Sequence, residues 1–277
     1  MSTLEEYVTG LDVLRMKFVP THYSPGARER AHRLAVMADK SYAFLREFYK
    51  ADVDVALLVL NSEDWSRRTH LPYGVLYSEM GVVHLTADIE TPAIESLSPI
   101  YENCSEALKE SVTSAVGHEE AAFAHGLQIL FDYLTVHEFT HAFQEKRRIR
   151  FGAHWLQELF ANYATYAFVK RFEAEYGGDL RLVETLAKAV YEGGRPLVRH
   201  TSLEDFERLY ARVGFLNYAW YHGKFFVGVV ELYSRYGESF MNKLIDMFEV
   251  KDDALVRQID RSCREFEQWF EVWRQES

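Results

Sequence analysis

The sequence predicts an α+β fold, with a small mixed sheet near the N-terminus, one buried helix that carries the site, and a helical C-terminal portion. Three observations support this class. The run at 53–60 is apolar and β-branched, which is typical of a central strand. The segment at 73–86 reads as two short strands around a glycine-containing turn. From residue 118 onward, apolar residues recur at helical spacing.

The composition is that of a globular chain without a nucleic-acid partner. Of its 277 residues, 48% are hydrophobic and 15% aromatic, which excludes a disordered protein. The formal net charge is −11, whereas nucleic-acid binding requires clustered Lys and Arg. No repeat or linker divides the sequence. We therefore expect a single domain over 1–277, with its sheet-containing part at about 1–146 and its helical part at about 147–277.

The sequence also favours a cytoplasmic location. Its two cysteines, Cys104 and Cys263, lie far apart and in no motif, which fits a reducing compartment. The first seven residues are polar and acidic, without the basic start and apolar run of a signal peptide. No stretch approaches the roughly 18 apolar residues that a membrane crossing needs. We therefore expect no membrane partner.

In chain order, the first expected element is a helix that begins after Pro25-Gly26. Its buried face is predicted from helical spacing of Leu34, Met37, Ala38, Ser41, Leu45 and Phe48. The strand at 53–60 follows, and because it is apolar on both faces we place it inside the sheet. The polar segment at 61–72 is expected to be a loop.

The hairpin leads to the site helix. Its two strands are expected at 73–77 and 81–86, joined by a turn that contains Gly81. The segment 88–117 shows little pattern and predicts a loop with one short helix. A long helix is then expected at 118–146 and ends in basic residues, which suit the negative end of the helix dipole.

The remaining chain is predicted to be helical. The first of these helices begins near Ala153 and is expected to end at Gly177-Gly178. Further helical patterns cover about 179–192, 203–213, 216–236, 238–249 and 253–274. The last of them carries an apolar stripe of Val256, Ile259, Cys263, Phe266, Phe270 and Trp273.

The chemical signal lies in the long helix, at His137-Glu138-Phe139-Thr140-His141. Residues four apart lie one turn apart on a helix, so both imidazoles point to the same place. Glu138 lies on the flank of the same half of the helix. This is the H-E-x-x-H arrangement, in which two neutral imidazoles bind zinc and the carboxylate takes a proton from the water held there.

The surroundings favour a metal site over a chance match. One face of the helix continues the stripe of Leu127, Leu130, Phe131 and Leu134, and the other side carries Ile129, Val136, Phe139 and Phe143. A helix that is apolar nearly all round is expected to be buried. Burying two imidazoles and a carboxylate without partners costs about 2–7 kcal/mol per unpaired group, and a metal ion removes that cost.

A catalytic zinc site needs a third protein ligand, and Glu158 is the candidate. It follows His141 by 17 positions and lies on the next predicted helix among apolar neighbours, which argues against an ordinary solvated carboxylate. His154, one turn earlier, is the alternative ligand. Asn162, one turn later on the same face, can accept the free N–H of a ligating imidazole.

These residues resemble the gluzincin metallopeptidases, and the peptidase MA-like domains in particular. The match consists of the H-E-x-x-H stretch together with Trp155-Leu-Gln-Glu158 and the residues up to Tyr163. The resemblance implies a zincin-like fold and one Zn²⁺ per chain, held by His137, His141 and Glu158. It also implies that Glu138 is the general base.

A weaker resemblance covers Asn217-Tyr218-Ala-Trp-Tyr221-His222 and the helix that follows. It is similar to the segment in which aminopeptidase-like members place a tyrosine that stabilises the oxyanion. Tyr221 matches that tyrosine best. Tyr218 and His222, on nearby faces of the same turn, are expected to line the substrate site and are the alternatives for this donor. Three packed aromatic residues without a catalytic role are an equally good interpretation.

The function predicted from the residues and the resemblance together is zinc-dependent cleavage of peptide bonds, with a peptide or protein as the substrate. An extended peptide is expected to add to the hairpin beside Val82 and Val83, unless 73–86 is an ordinary hairpin. Two other functions stay open. One is hydrolysis of a small non-peptide amide or ester, and the other is a non-catalytic regulatory module that contains zinc.

Overall fold

The computed structural model describes residues 7–117, 121–245, 257, 259–261, 263 and 265–275, without the side chains of 176–178 and 211. The chain divides into two compact units. The first unit comprises Met1–Glu95 and Phe131–Arg148, and the second comprises Ser96–Leu130 and Ile149–Ser277. Sheet and helices occur in the order that the sequence predicts, so the α+β class is confirmed. The single domain stays a prediction.

The first unit is built on a mixed five-stranded sheet. Its strands are β1 (Asp12–Leu14), β2 (Thr21–Tyr23), β3 (Ala56–Leu60), β4 (Tyr77–Glu79) and β5 (Val82–Thr86), in the spatial order β1-β2-β3-β5-β4. The pairs β2–β3 and β3–β5 are parallel, and the outer pairs β1–β2 and β4–β5 are antiparallel. All five residues of β3 are buried, which explains why this strand is apolar on both faces.

The hairpin of β4 and β5 is confirmed, with its first strand at Tyr77–Glu79 instead of 73–77. Glu79 pairs with Val82, so the loop has two residues, Met80 and Gly81. Both have positive φ, 53° and 81°, as a type I′ hairpin turn requires. A side chain at Gly81 would also require the end of the Lys146 side chain to move, because an added Cβ would lie 2.1 Å from its Cε.

The first predicted helix is confirmed as α1 (Arg28–Tyr49) of the first unit. It contacts α6 (Ala122–Arg147), the helix that carries the H-E-x-x-H residues. The guanidinium of Arg30 donates two hydrogen bonds to the carboxylate of Asp132 on α6. Phe143 of α6 lies between the rings of Tyr42 and Tyr49, at centroid distances of 5.2 and 5.4 Å. These contacts fix the second half of α6, which belongs to the first unit.

Two segments contain more helix than the sequence predicts. Within 61–72 the structure has α2 (Ser62–Arg68), which begins at Asn61 because the Asn61 side chain accepts a hydrogen bond from Asp64 N. Within 88–117 it has α3 (Pro92–Glu95), α4 (Ser98–Glu102) and α5 (Glu106–Val116). The loop prediction for 61–72 was wrong, and 88–117 has three helices where one short helix was predicted. Side-chain caps at Asn61 and Ser105 begin α2 and α5.

The second unit is helical in its described residues. After α6 it contains α7 (His154–Arg171), α8 (Glu173–Gly194), α9 (Leu203–Leu209), α10 (Phe215–Tyr236), α11 (Ser239–Ile245) and α12 (Phe266–Gln275). Short 3₁₀ turns at Arg195–Leu197 and Tyr210–Arg212 follow α8 and α9. None of the helices in the described part of the chain combines the length and the apolarity that a membrane crossing requires.

Several predicted helix boundaries differ from the observed ones. The helix that begins near Ala153 ends at Arg171, and Gly177-Gly178 lie inside α8, where burial of the helix outweighs the small cost of glycine. The last predicted helix is divided: residues 257 and 259–261 are helical, and a separate helix begins at Phe266, after Glu265 with a φ of 73°. The stripe of 259, 263, 266, 270 and 273 is nonetheless buried. Val256 and residues 118–120 and 246–249 of the predicted helices lie outside the described residues.

Candidate metal centre

The two histidines of the H-E-x-x-H stretch converge as predicted. The Nε2 atoms of His137 and His141 lie 2.9 Å apart, and the two rings meet edge to face at a centroid distance of 4.6 Å. His137 is only 2% exposed. Two ring nitrogens this close can share one proton. Alternatively, both can donate their lone pairs to one metal ion. The pair therefore presents two nitrogen donors to one point.

Gln144 sets the tautomer of His141. Its Oε1 lies 3.2 Å from His141 Nδ1, and since an amide oxygen only accepts, Nδ1 carries the proton and Nε2 keeps its lone pair. Gln144 is itself buried beside Tyr49, whose pKa is raised by burial. The sequence analysis missed Gln144. Its position three residues after His141 on one helix was the available signal.

Glu158 joins the histidine pair to form a possible ligand group. One ligand atom each of His137, His141 and Glu158 lies within 4.8 Å of the others. Glu158 is fully buried in α7, so the interpretation as a solvated helix carboxylate is excluded. A buried carboxylate needs compensating partners, and two imidazole nitrogens plus one carboxylate oxygen are a common donor set for catalytic zinc. The residues present thus fit a divalent metal ion.

Two side chains of the second unit contact the Glu158 carboxylate. Tyr210, in the turn after α9, donates a hydrogen bond to Oε1 at 2.6 Å. His222 of α10 places Nε2 at 3.6 Å from Oε2. Tyr210 lies 52 positions from Glu158, and nothing in the sequence pattern linked the two. It is the second functional candidate that the sequence analysis missed.

Asn162 lies next to His222. Its Nδ2 is 3.4 Å from His222 Nδ1. A neutral His222 that accepts at Nδ1 carries its proton on Nε2, the atom that faces Glu158. The structure therefore places Asn162 where it orients His222, whereas the sequence analysis expected it to orient a metal-bound imidazole.

His154, the alternative third ligand, lies apart from the ligand group found among the described residues. Its ring is exposed and stacks on Tyr210, with the centroids 4.1 Å apart and the planes 11° from parallel. His154 therefore supports a neighbour of Glu158 and does not replace Glu158.

Tyr221 is placed differently from its predicted role. It is fully buried, and its hydroxyl donates a 2.7 Å hydrogen bond to the carbonyl of Ser202. Burial also raises its pKa. Tyr218 packs against His222, with a ring distance of 4.5 Å. Of the three candidate donors on this turn, His222 places Nε2 at 3.6 Å from Glu158.

Val82 and Val83 lie on a strand that has partners on both sides. β5 pairs with β3 through Leu57↔Val83 and with β4 through Glu79↔Val82. A peptide can add only to an edge strand, so strand addition beside Val82 and Val83 is excluded. The outer strand of this hairpin is β4.

Glu138 follows His137 on α6 and is 8% exposed. A carboxylate at this position of a helix lies on the flank of the side that carries the two imidazoles. Its role as a base stays a prediction.

Comparisons with known proteins add no further assignment. A scan against protein-family models found no match, and searches of curated proteins and of solved structures found none either. The resemblance to gluzincins therefore depends on the motif residues alone. What the structure adds to that motif is a buried group of His137, His141 and Glu158 that can hold a metal ion.

Proposed function

We propose that the protein is a zinc-dependent hydrolase that cleaves amide bonds in peptides. The observation that carries this proposal is the convergence of two imidazole nitrogens and one buried carboxylate within 4.8 Å, with Glu138 directly beside the first histidine. Structural zinc sites usually have four protein ligands, whereas catalytic sites have three and keep one position open. An adjacent carboxylate that is not a ligand can serve as the general base in a catalytic site.

The ligands would be Nε2 of His137, Nε2 of His141 and one oxygen of Glu158. A bound zinc ion supplies a Lewis acid that polarises a carbonyl group and lowers the pKa of water to about 7. Gln144 holds His141 in the tautomer that this binding requires.

Glu138 is the proton carrier in this proposal. Its carboxylate takes a proton from the attacking water, whose oxygen forms the new bond to the amide carbon. It then gives that proton to the leaving nitrogen as the carbon–nitrogen bond breaks. Water is thus divided between the two products, and the carboxylate returns to its starting state.

His222 is the donor that we assign to the developing oxyanion. With Nδ1 facing Asn162, its Nε2–H lies on the side of Glu158. A donor fixed in advance stabilises charge that develops on the carbonyl oxygen in the transition state. Tyr221 does not take this role in the proposal because its hydroxyl is bonded to Ser202.

The test is a digest of a peptide library, analysed by mass spectrometry, beside a panel of small amides and esters. The wild type should cleave peptides, and Glu138→Gln should lose at least the roughly 10²–10⁴-fold that a lost acid–base group costs. Glu145→Gln is the matched control on the same helix and should retain activity, since the exposed Glu145 serves to bind Gly81 N. If the wild type cleaves only the small amides or esters, its substrate is a small molecule and not a peptide. If Glu138→Gln cleaves peptides as fast as the wild type, the mechanism is contradicted.

A further inference from the structure

We infer that Tyr210 is a positioning residue for the proposed metal ligand Glu158. Its phenol holds Oε1 of the carboxylate, so that the metal is bound through a single oxygen, Oε2. This inference rests on the proposed metal site.

The contact itself is strong. The Tyr210 hydroxyl donates to Glu158 Oε1 at 2.6 Å, and the carboxylate is fully buried. A hydrogen bond from a neutral hydroxyl to an ionised carboxylate is short and is stronger where water is excluded. An oxygen engaged in this way is a poorer metal ligand than the second oxygen, so the hydrogen bond disfavours chelation by both oxygens.

Three aromatic neighbours hold the Tyr210 ring. It stacks on His154 at 4.1 Å and meets the edges of Phe206 and Tyr218 at 5.6 and 6.3 Å. These contacts restrict the ring and therefore the position of its hydroxyl.

The backbone around Tyr210 is tied to the helix that carries Glu158. Glu207 of α9 accepts hydrogen bonds from the backbone N–H groups of His154 and Trp155, at 3.0 and 2.7 Å. These two N–H groups belong to the first turn of α7, where a carboxylate also interacts favourably with the helix dipole. Glu158 lies only one turn further along α7, so the tie fixes both partners of the Tyr210 hydrogen bond.

Tyr210 also has an unfavourable backbone conformation, with φ 37° and ψ −110°. A residue with a β-carbon rarely adopts positive φ, and such a conformation persists only where surrounding contacts impose it. The conformation directs this side chain towards Glu158 at the end of α9. The aromatic contacts and the hydrogen bond to Glu158 are among the contacts that impose it.

The test compares zinc affinity in Tyr210→Phe and in a matched control. Tyr210→Phe removes one hydroxyl and keeps the stacked ring. Tyr166→Phe removes a hydroxyl that makes the same 2.6 Å hydrogen bond to a glutamate, Glu184, outside the ligand group. Competition with a chelating dye should show zinc binding about 10–100-fold weaker in Tyr210→Phe, as is typical when a partner of a metal ligand is lost, and unchanged in Tyr166→Phe.

A second measurement separates positioning from general structural damage. In the cobalt-substituted protein, visible absorption reports coordination number, because four-coordinate Co²⁺ absorbs more strongly than five-coordinate Co²⁺. We expect weaker absorption in Tyr210→Phe, where Glu158 gains the freedom to chelate with both oxygens, and a wild-type spectrum in Tyr166→Phe.

Wild-type zinc affinity and a wild-type cobalt spectrum in Tyr210→Phe would overturn the inference. A wild-type protein that binds no zinc would overturn both this inference and the proposed function. A wild type that binds zinc yet cleaves no amide would overturn the proposed function alone, and the comparison of Tyr210→Phe with Tyr166→Phe would still decide the role of Tyr210.

Discussion

At the scale of single residues, Gln144 determines which nitrogen of His141 is available. Its amide oxygen accepts from Nδ1–H at 3.2 Å. Gln144→Met keeps the length of the side chain and removes that acceptor, so we expect zinc affinity to fall by about 10–100-fold. Gln144→Glu restores an acceptor and should bind zinc with nearly wild-type affinity. Competition with a chelating dye measures both. Equal affinity in Gln144→Met and the wild type would show that Gln144 has no influence on the ligand.

His222 and Tyr221 are adjacent on α10 and give opposite expectations. His222→Gln should lower kcat by about 10²–10³ with little change in KM, since the donor acts on charge that exists only in the transition state. Tyr221→Phe should leave kcat nearly unchanged. It should lower the free energy of unfolding by about 1–3 kcal/mol, because the Ser202 carbonyl loses a partly buried hydrogen bond.

Steady-state kinetics and urea unfolding of the same two variants separate these roles. A large fall in kcat for Tyr221→Phe together with an unchanged kcat for His222→Gln would return the oxyanion role to Tyr221. It would also mean that Tyr221 releases Ser202 when substrate binds.

At the scale of elements, the sheet contains a buried histidine, His84, whose neutral form is favoured in the folded state. His84 of β5 is buried, and its ring stacks on Tyr77 at a centroid distance of 4.2 Å. Tyr7 donates to the carbonyl of Arg68, so its oxygen accepts from His84 Nε2 at 2.9 Å. Burial lowers the pKa of His84 to about 4, against the opposing effect of nearby backbone carbonyls. The cationic form is therefore disfavoured in the folded sheet.

This shift predicts a loss of stability in acid. The folded pKa lies below the unfolded value of about 6.5, so the stabilisation is complete above pH 6.5 and is lost as the pH falls towards 4. The difference between the unfolded and the folded pKa of His84 corresponds to about 3 kcal/mol in the free energy of unfolding. His84→Phe keeps a stacked ring without a titrating group and should lose that part of the pH dependence.

Urea unfolding at several pH values between 7.5 and 4 measures the effect. His32→Gln removes an exposed histidine of α1 and should keep the wild-type pH dependence. Identical pH profiles for His84→Phe and the wild type would show that His84 does not couple folding to pH.

The elements that could be predicted from the sequence are those whose own residues carry the pattern. α1, α6 and α10 have apolar faces of many turns, and β3 is apolar throughout. The strands β1 and β2 have three residues each, too few for a periodic signal. They form because Thr21–Tyr23 finds a parallel partner in β3 and Asp12–Leu14 then adds beside it. Such pairing depends on residues far along the chain.

The same distinction applies to the candidate site. His137, His141 and Glu158 follow from helical spacing and from an apolar context within a short stretch, and their convergence is confirmed as a possible metal group. Tyr210 reaches Glu158 through the turn after α9, and its contact depends on a backbone conformation that no residue pattern indicates. The prediction of strand addition beside Val82 and Val83 fails because β3 and β4 occupy both sides of β5, and the sequence pattern does not indicate that pairing.

At the scale of the whole molecule, a metal ion that binds only the folded chain should stabilise it. Free zinc at 100 times its Kd adds about 2.7 kcal/mol to the free energy of unfolding. We therefore expect a chelator to lower the Tm of the wild type and to have no effect on Glu158→Ala, in which the ligand group is incomplete. Thermal unfolding with and without chelator tests this. An equal shift in the wild type and in Glu158→Ala would place the stabilising metal elsewhere.

The most direct test of the central claim is the zinc content of the purified protein, measured by inductively coupled plasma mass spectrometry. It is made on the wild type, Glu158→Ala and His154→Ala after mild chelation. We predict one zinc per chain in the wild type and in His154→Ala, and almost none in Glu158→Ala, because Glu158 belongs to the convergent group and His154 lies outside it. A wild type without zinc, or a Glu158→Ala variant that keeps its zinc while His154→Ala loses it, would contradict the assignment.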